Sequence, residues 1–312
     1  MAGKRKAESS ATQKADKDDD SDASDYAPSA IDVSFDYVAP SDIDFAALKR
    51  LTQQLFHTHS PNLNLSALVD DILTWGNKSV GTVVKVEDDE DGDPFAFASV
   101  INLAADSFSE ASKVLRDYYT KSLSSASAST SKAAQSIQSL LSSSSARPLQ
   151  IFHERMINLP PQIMPPLYRM LFEEIKANEE LKSATHLVFF SRVFSISASD
   201  DDADDDDDGQ YAAASTKSTP KKQKKIVPKN KAIGKMKSND ETGEEEMGLF
   251  HPEDGILAKH ALHSFTYRFP GVRDSDESFN APMYARIVLI ENQEEILRAF
   301  QQEMEVAFAL PE

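Results

Sequence analysis

The hydrophobic positions change period along the chain, and each change marks an element. Ile31, Val33, Phe35 and Tyr37 alternate with Asp32, Ser34 and Asp36, the two-residue period of a strand with one buried face. After Pro40 and the helix-starting pair Ser41-Asp42, Phe45, Leu48, Leu51, Leu55 and Phe56 recur at helical spacing. They predict an amphipathic helix packed on the strand layer. Asn64 stands at the N-cap position of a second helix carrying Leu65, Leu68, Val69, Ile72 and Leu73, with Trp75 as a core residue near its end. Residues 81–86 and 95–102 predict two strands joined as a hairpin through the acidic sequence between them.

Residues 108–119 predict a helix, and 122–136 a Ser-rich linker leading into one short helix with Ile137, Leu140 and Leu141. Strand character returns over 149–159. Leu167, Met170, Leu171 and Ile175 then trace a helix ending near Asn178, with Pro166 in its first turn and Tyr168 and Arg169 facing outward. In residues 187–196, LVFFSRVFSI, four consecutive apolar positions predict a central strand buried on both faces. Arg192 within it then needs a solvent exit or a charged partner. Residues 251–255, HPEDG, predict a turn; 263–269 and 284–290 predict strands. Ile296, Leu297, Phe300 and Met304 predict a last helix, with Asn292 and Glu295 spaced as a capping pair. These elements assign residues 31–196 and 249–312 to a single α/β domain. Residues 1–30 read as a disordered acidic and basic tail, and 197–248 as a disordered charged insertion.

Charge changes the picture most. The 312 residues carry 33 Lys and Arg against 51 Asp and Glu, a net charge of −18. That balance argues against strong direct nucleic-acid binding through a broad basic face and in favour of a basic partner. Two acidic runs are candidates for a rim that binds such a client: Glu87, Asp88, Asp89, Glu90, Asp91 and Asp93 in the hairpin loop, and Asp200, Asp201, Asp202, Asp204, Asp205, Asp206, Asp207 and Asp208 in the insertion. Nine lysines follow between Lys217 and Lys237, of which Lys221, Lys222, Lys224 and Lys225 form a candidate nuclear import peptide. Both acidic runs imitate the start of a calcium loop and fail at its terminal carboxylate, where Ala98 and Ser215 stand.

Catalytic and metal chemistry find little footing. His57 and His59 lack a third ligand nearby and read as a solvated helix end. His153 and Glu154 are neighbours in a strand, so they point to opposite faces and make a poor acid/base pair. With no cysteine, thiol chemistry is excluded. No catalytic, cofactor or metal residue is therefore expected. The absence of an eighteen-residue apolar run, and of an apolar core in the first ten residues, predicts a soluble intracellular protein without membrane insertion.

Six stretches together resemble the BCCIP family: IDVSFDYVAPSDIDFAALKRLTQQLF (31–56), GTVVKVEDDEDGDPFAFASVINL (81–103), LPPQIMPPLYRMLFEEI (159–175), HLVFFSRVF (186–194), FHPEDGILAKHALHSFTYRF (250–269) and YARIVLIENQ (284–293). The resemblance implies a GNAT-like central mixed sheet flanked by helices and catalytically silent. The residues agree with that silence, since a coenzyme A pyrophosphate is cradled by backbone amides of a Gly-rich turn, whereas this chain offers LPPQIMPP, whose prolines have no amide to donate. The resemblance further implies a shuttling nuclear chaperone and transport factor in ribosome biogenesis. Its client would be a basic large-subunit ribosomal protein of the L-fourteen class, and it would have connections to export of a phosphatidylinositol-phosphate kinase and to nuclear transport receptors. A histone escort, a cell-cycle or DNA-repair scaffold and an N-acetyltransferase are the alternative readings.

Overall fold

In the computed structural model, which describes residues 33–107, 109–124, 131–196, 235–237, 246–269 and 283–309, nine strands join in one sheet with helices on both faces. In chain order the elements are β1 (Phe35–Val38), α1 (Phe45–Phe56), α2 (Leu65–Asn77), β2 (Thr82–Val86), β3 (Ala96–Asn102), α3 (Glu110–Leu123), α4 (Lys132–Ser142), β4 (Pro148–Arg155), α5 (Met164–Ala177), β5 (His186–Ser195), β6 (Lys235–Lys237), β7 (Glu246–Leu249), α6 (Glu253–Lys259), β8 (His263–Arg268), β9 (Met283–Glu291) and α7 (Glu294–Ala307). Strands β1 to β4 run antiparallel in succession, and among the described residues β1 ends the sheet.

The sheet forks at β5. Its first half pairs parallel with β4, from Pro148 opposite His186 to Ile151 opposite Phe189. Beyond that point the two strands part, and β7 takes the vacated edge with Leu249 opposite Val193. Along its other edge β5 pairs antiparallel with β9, which pairs in turn with β8. With neighbours on both edges and helices on both faces, Leu187, Val188, Phe189 and Phe190 are all buried, which is why that stretch carries no polar alternation.

Each face has its own core. Val83, Phe97, Phe152, Val188 and Phe190 point to the side covered by α1, α2, α3 and α4. Val84, Ala98, Ile151, Leu187 and Phe189 point to the side covered by α5, α6 and α7. The predicted cap on α2 is present, with Asn64 Oδ1 accepting from the Ala67 amide at 3.3 Å. Changing Asn64→Ala orphans that donor, and the expected loss of about 1 kcal/mol is readable as a lower denaturant midpoint at unchanged slope.

Several expectations are corrected. The described part of the first strand begins at Phe35, and Ile31 and Asp32 lie outside the described residues. The Ser-rich segment 122–136 is not linker throughout, because α3 runs to Leu123 and α4 starts at Lys132 with Ser131 as its cap. The charged insertion does not extend unstructured to residue 248, since β6 and β7 pair within it. Tyr168 does not face outward. It is wholly buried against Phe300, Phe172 and Phe189, while Arg169 is the exposed neighbour and pairs with Glu305 at 3.5 Å. The N-cap position of helix α7 is Gln293, whose side chain makes no capping bond, and Asn292 instead donates its side-chain amide to Ala184 O at 2.9 Å.

Candidate functional site

The divergence of β4 from β5 opens a wedge in the middle of the sheet, and charged side chains fill it. On the α1 side, Glu154 accepts from Arg192 at 3.3 Å and contacts His251 Nε2 at 2.6 Å, while Gln54 reaches the same carboxylate at 3.0 Å. The Arg192 guanidinium also lies 4.9 Å from the centre of the Phe250 ring, so the predicted need for a partner is met twice. On the α5 side, Arg155 forms a two-pronged pair with Glu253 at 2.7 and 3.0 Å and donates to Leu159 O at 2.7 Å. His153 Nε2 lies 3.3 Å from Asp254 Oδ1. His153 and Glu154 thus do point to opposite faces. Residues 251–254 meet partners from both faces, which places this segment across the wedge as a plug.

Burial alone would raise the Glu154 pKa. The positive charges of Arg192 and His251, with the hydrogen bond from His251, outweigh it and hold the carboxyl at about 2. Burial likewise lowers His251, and Glu154, Glu253 and Asp254 reverse that and raise it above its ordinary value. Both directions favour an ionised pair.

The second feature lies at the β1 end of the sheet. A groove of about 830 Å³ wraps this edge, lined by Tyr37, Pro40, Ile43, Gly81, Met170 and Glu174 together with Asp36, Asp89, Glu90 and Asp91. Gly81 sits at φ +105°, where a side chain would be strained, and its amide donates to Glu174 Oε2 at 2.8 Å. The hairpin is formed as expected, with Thr82 opposite Ala98. Of the predicted rim, Asp88, Asp89, Glu90, Asp91 and Asp93 are exposed and Glu87 is half-buried. Asp93 is already paired with Arg50 at 2.5 Å, which pins the tip to α1. The buried Lys85 holds the base of the tip, donating to Glu90 O at 2.7 Å and forming an ion pair with Asp44 Oδ1 at 2.7 Å. Asp200, Asp201, Asp202 and Asp204 to Asp208, and Lys221, Lys222, Lys224 and Lys225, lie outside the described residues.

His57 and His59 are not a solvated end. They are half-buried beside Phe269, and His59 Nδ1 contacts the Tyr118 hydroxyl at 2.8 Å. Burial, with a cation near each, lowers both pKa values. Among the described residues no group of three His, Cys, Asp or Glu side chains is placed to hold a metal. Likewise, no described helix is long and apolar enough to cross a membrane.

Sequence reasoning missed the wedge because HPEDG reads as turn chemistry. Glu253 and Asp254 nevertheless stand between Phe250 and the pair Ile256-Leu257, an apolar frame that signals a buried, charged helix start.

Fold and site together define a class: a mixed α/β protein whose forked sheet is plugged by ion pairs and whose free end carries an acidic groove. The chain belongs to the BCCIP family, whose model matches residues 30–257. Protein BCP1 of Mycosarcoma maydis is 41% identical over 99% of this chain and 98% of its own length. Protein bcp1 of Schizosaccharomyces pombe is 32% identical over 77% of this chain and 75% of its own. The crystal structure of BCP1 from Saccharomyces cerevisiae has a TM-score of 0.54 at 17% identity, covering 90% of this chain and 93% of that one. That match supports the fold, a multi-strand sheet flanked by helices. The family's names are not those of enzymes.

Proposed function

We propose that this chain is a nuclear escort that binds a basic large-subunit ribosomal protein of the L-fourteen class, shields its Lys/Arg-rich surface and supports nuclear export. The observation that carries this reading is the exposed tip Asp88, Asp89, Glu90 and Asp91 held beside a groove with apolar walls. Carboxylates steer a cationic client and suppress wrong partners, and the walls add specificity that a plain polyanion lacks. The body behind the tip is read as a GNAT-like sheet without catalysis. In support of that silence, residues 251–254 fill the gap where β4 and β5 part with ion pairs to Glu154 and Arg155.

Neutralising the tip with Asp88→Asn, Asp89→Asn, Glu90→Gln and Asp91→Asn tests this directly. Asn tolerates the positive φ of 64° at Asp88, and the Lys85 bond to the Glu90 carbonyl is kept in the variant, so the fold is expected to persist. At about 0.2–1 kcal/mol per exposed pair, client affinity should fall by roughly fourfold to several hundredfold and lose most of its salt dependence. Affinity capture from nuclease-treated nuclear extract should recover one basic ribosomal protein. Preferential recovery of histones, or of cell-cycle and repair proteins, would instead establish one of the competing escorts or scaffolds.

A further inference from the structure

Among the described residues six large apolar side chains stand exposed, and four of them, Val33, Ile43, Met156 and Ile157, gather at one end of the sheet. Exposed apolar residues scattered singly are ordinary, whereas a group of them around one feature marks a contact surface. The strand pairing puts them there. With Phe35 opposite Val86 and Ala96 opposite Arg155, the start of β1, the hairpin tip and the end of β4 share that end of the sheet. Val33 precedes Ser34, whose carbonyl accepts from the Glu87 amide at 2.9 Å, and Ile43 lines the groove beside Asp89, Glu90 and Asp91. Met156 lies on the other flank, its amide donating to Phe95 O at 3.0 Å. The acidic tip thus stands between two apolar flanks.

The Met156 flank is held in place by hydrogen bonds. Arg155 donates to Met156 O at 3.3 Å and to Leu159 O at 2.7 Å, the Leu159 amide closes the turn onto Met156 O at 3.0 Å, and Gln54 donates to Arg155 O at 3.2 Å. Ile157, 62% exposed, is therefore presented on a turn with little freedom left to lose on binding. Covering it with a partner is favourable in proportion to the apolar area removed from water, and the carboxylates beside it select the sign of that partner. A second copy of this chain would bring its own acidic tip against this one, and like charges oppose that pairing. Val33 before β1 and Met156 after β4 are three strand spacings apart, roughly 14 Å at ~4.8 Å each. An extended segment covers that distance in about four residues at ~3.4 Å each.

We propose that the two apolar flanks and the acidic tip form one contact surface for a cationic protein segment that carries an apolar side chain on each side of its Lys/Arg cluster. This deepens the escort reading and rests on it: the tip draws in the basic client, and Val33, Ile43, Met156 and Ile157 hold the apolar residues that border its charges.

The test uses the full chain and two peptides with blocked ends, Val-Lys-Lys-Lys-Val and Ser-Lys-Lys-Lys-Ser, each titrated and followed by amide NMR shifts. The valine peptide should bind about tenfold more tightly, from the apolar area its two ends bury, with shifts centred on residues 88–91 and 156–157. Ile43→Gln with Ile157→Asn changes one exposed residue on each flank, so the thermal midpoint should hold while the preference for valine disappears. The same change should weaken the basic client about tenfold and leave the salt dependence of its binding intact, whereas neutralising the tip removes the salt dependence and keeps the preference for valine. Equal affinity for the two peptides, including none for either, or a preference that survives the Ile43→Gln, Ile157→Asn change, would overturn the proposal. A dimer in light scattering that this change dissolves would also overturn it, by making a second copy the occupant. If the client binds and is indifferent to the change, the surface fails while the escort reading stands; if the valine peptide is preferred yet no basic client is bound, the escort reading fails while the surface stands.

Discussion

Glu154→Ala is expected to destabilise the protein by about 3–5 kcal/mol, because it strands Arg192 and His251 in the wedge without their counter-charge. Such a loss is a large fraction of the stability of an ordinary domain, so the variant should be recovered poorly or partly unfolded. Replacing the pair together, as Glu154→Leu with Arg192→Met, should recover much of the loss, since His251 can then shed its proton and neither member of the pair is left buried without its counter-charge. The same ion pair sets a pH window. A carboxyl depressed to about 2 contributes stability that is present above its unfolded value and lost as pH falls toward 2. A histidine raised above 6.5 contributes stability that is present below 6.5 and lost as pH rises through its folded value. Unfolding free energy should therefore decline on both the acid and the alkaline side, and His251→Gln should flatten the alkaline limb while leaving the acid limb that Arg192 maintains. A flat profile for the unmodified chain from pH 3 to 9 would contradict the assignment.

Phe190→Ala is the second large effect. This residue of β5 is fully buried, with its ring centre 4.8 Å from Phe56, 5.9 Å from Tyr118 and 6.4 Å from Phe269. Truncation removes the ring and leaves a cavity that the surrounding α1, α3 and sheet cannot close without breaking the sheet's pairings, at a cost of about 3–5 kcal/mol. Urea titration should show a reduced midpoint, with Phe190→Leu falling between the variant and the parent. A loss below about 1 kcal/mol would mean that this face of β5 is not the packed interior described above.

Residue patterns alone were enough to place every strand but β6 and β7, the long helices and the hairpin, because each has a buried face with its own period: Val83 and Phe97 against Val84 and Ala98, for example. The fork of the sheet was not legible. Whether β4 and β5 pair to their ends depends on long-range register, and neither strand's sequence states where pairing stops. Tyr168 was grouped with Arg169 on the outward face because it lies outside the stripe Leu167, Met170, Leu171 and Ile175, although its ring is held by Phe300 and Phe172. The cap at Asn292 failed because that side chain had a tertiary partner at Ala184 O. Of the candidate rim, the hairpin acids were readable as exposed, since such a charge density has no buried alternative. Their position beside a sheet edge came only from the folding of residues distant in the chain, Tyr37, Gly81 and Met170 among them.

The escort account stands on one property, the ability to keep a basic client dissolved. Purified chain and the L-fourteen-class ribosomal protein, mixed at equal concentration near physiological salt without RNA, should give a clear one-to-one complex by light scattering. The Asp88→Asn, Asp89→Asn, Glu90→Gln, Asp91→Asn variant should let the client aggregate. Aggregation of the client to the same extent with and without the unmodified chain, or equal protection by the variant, would contradict the account.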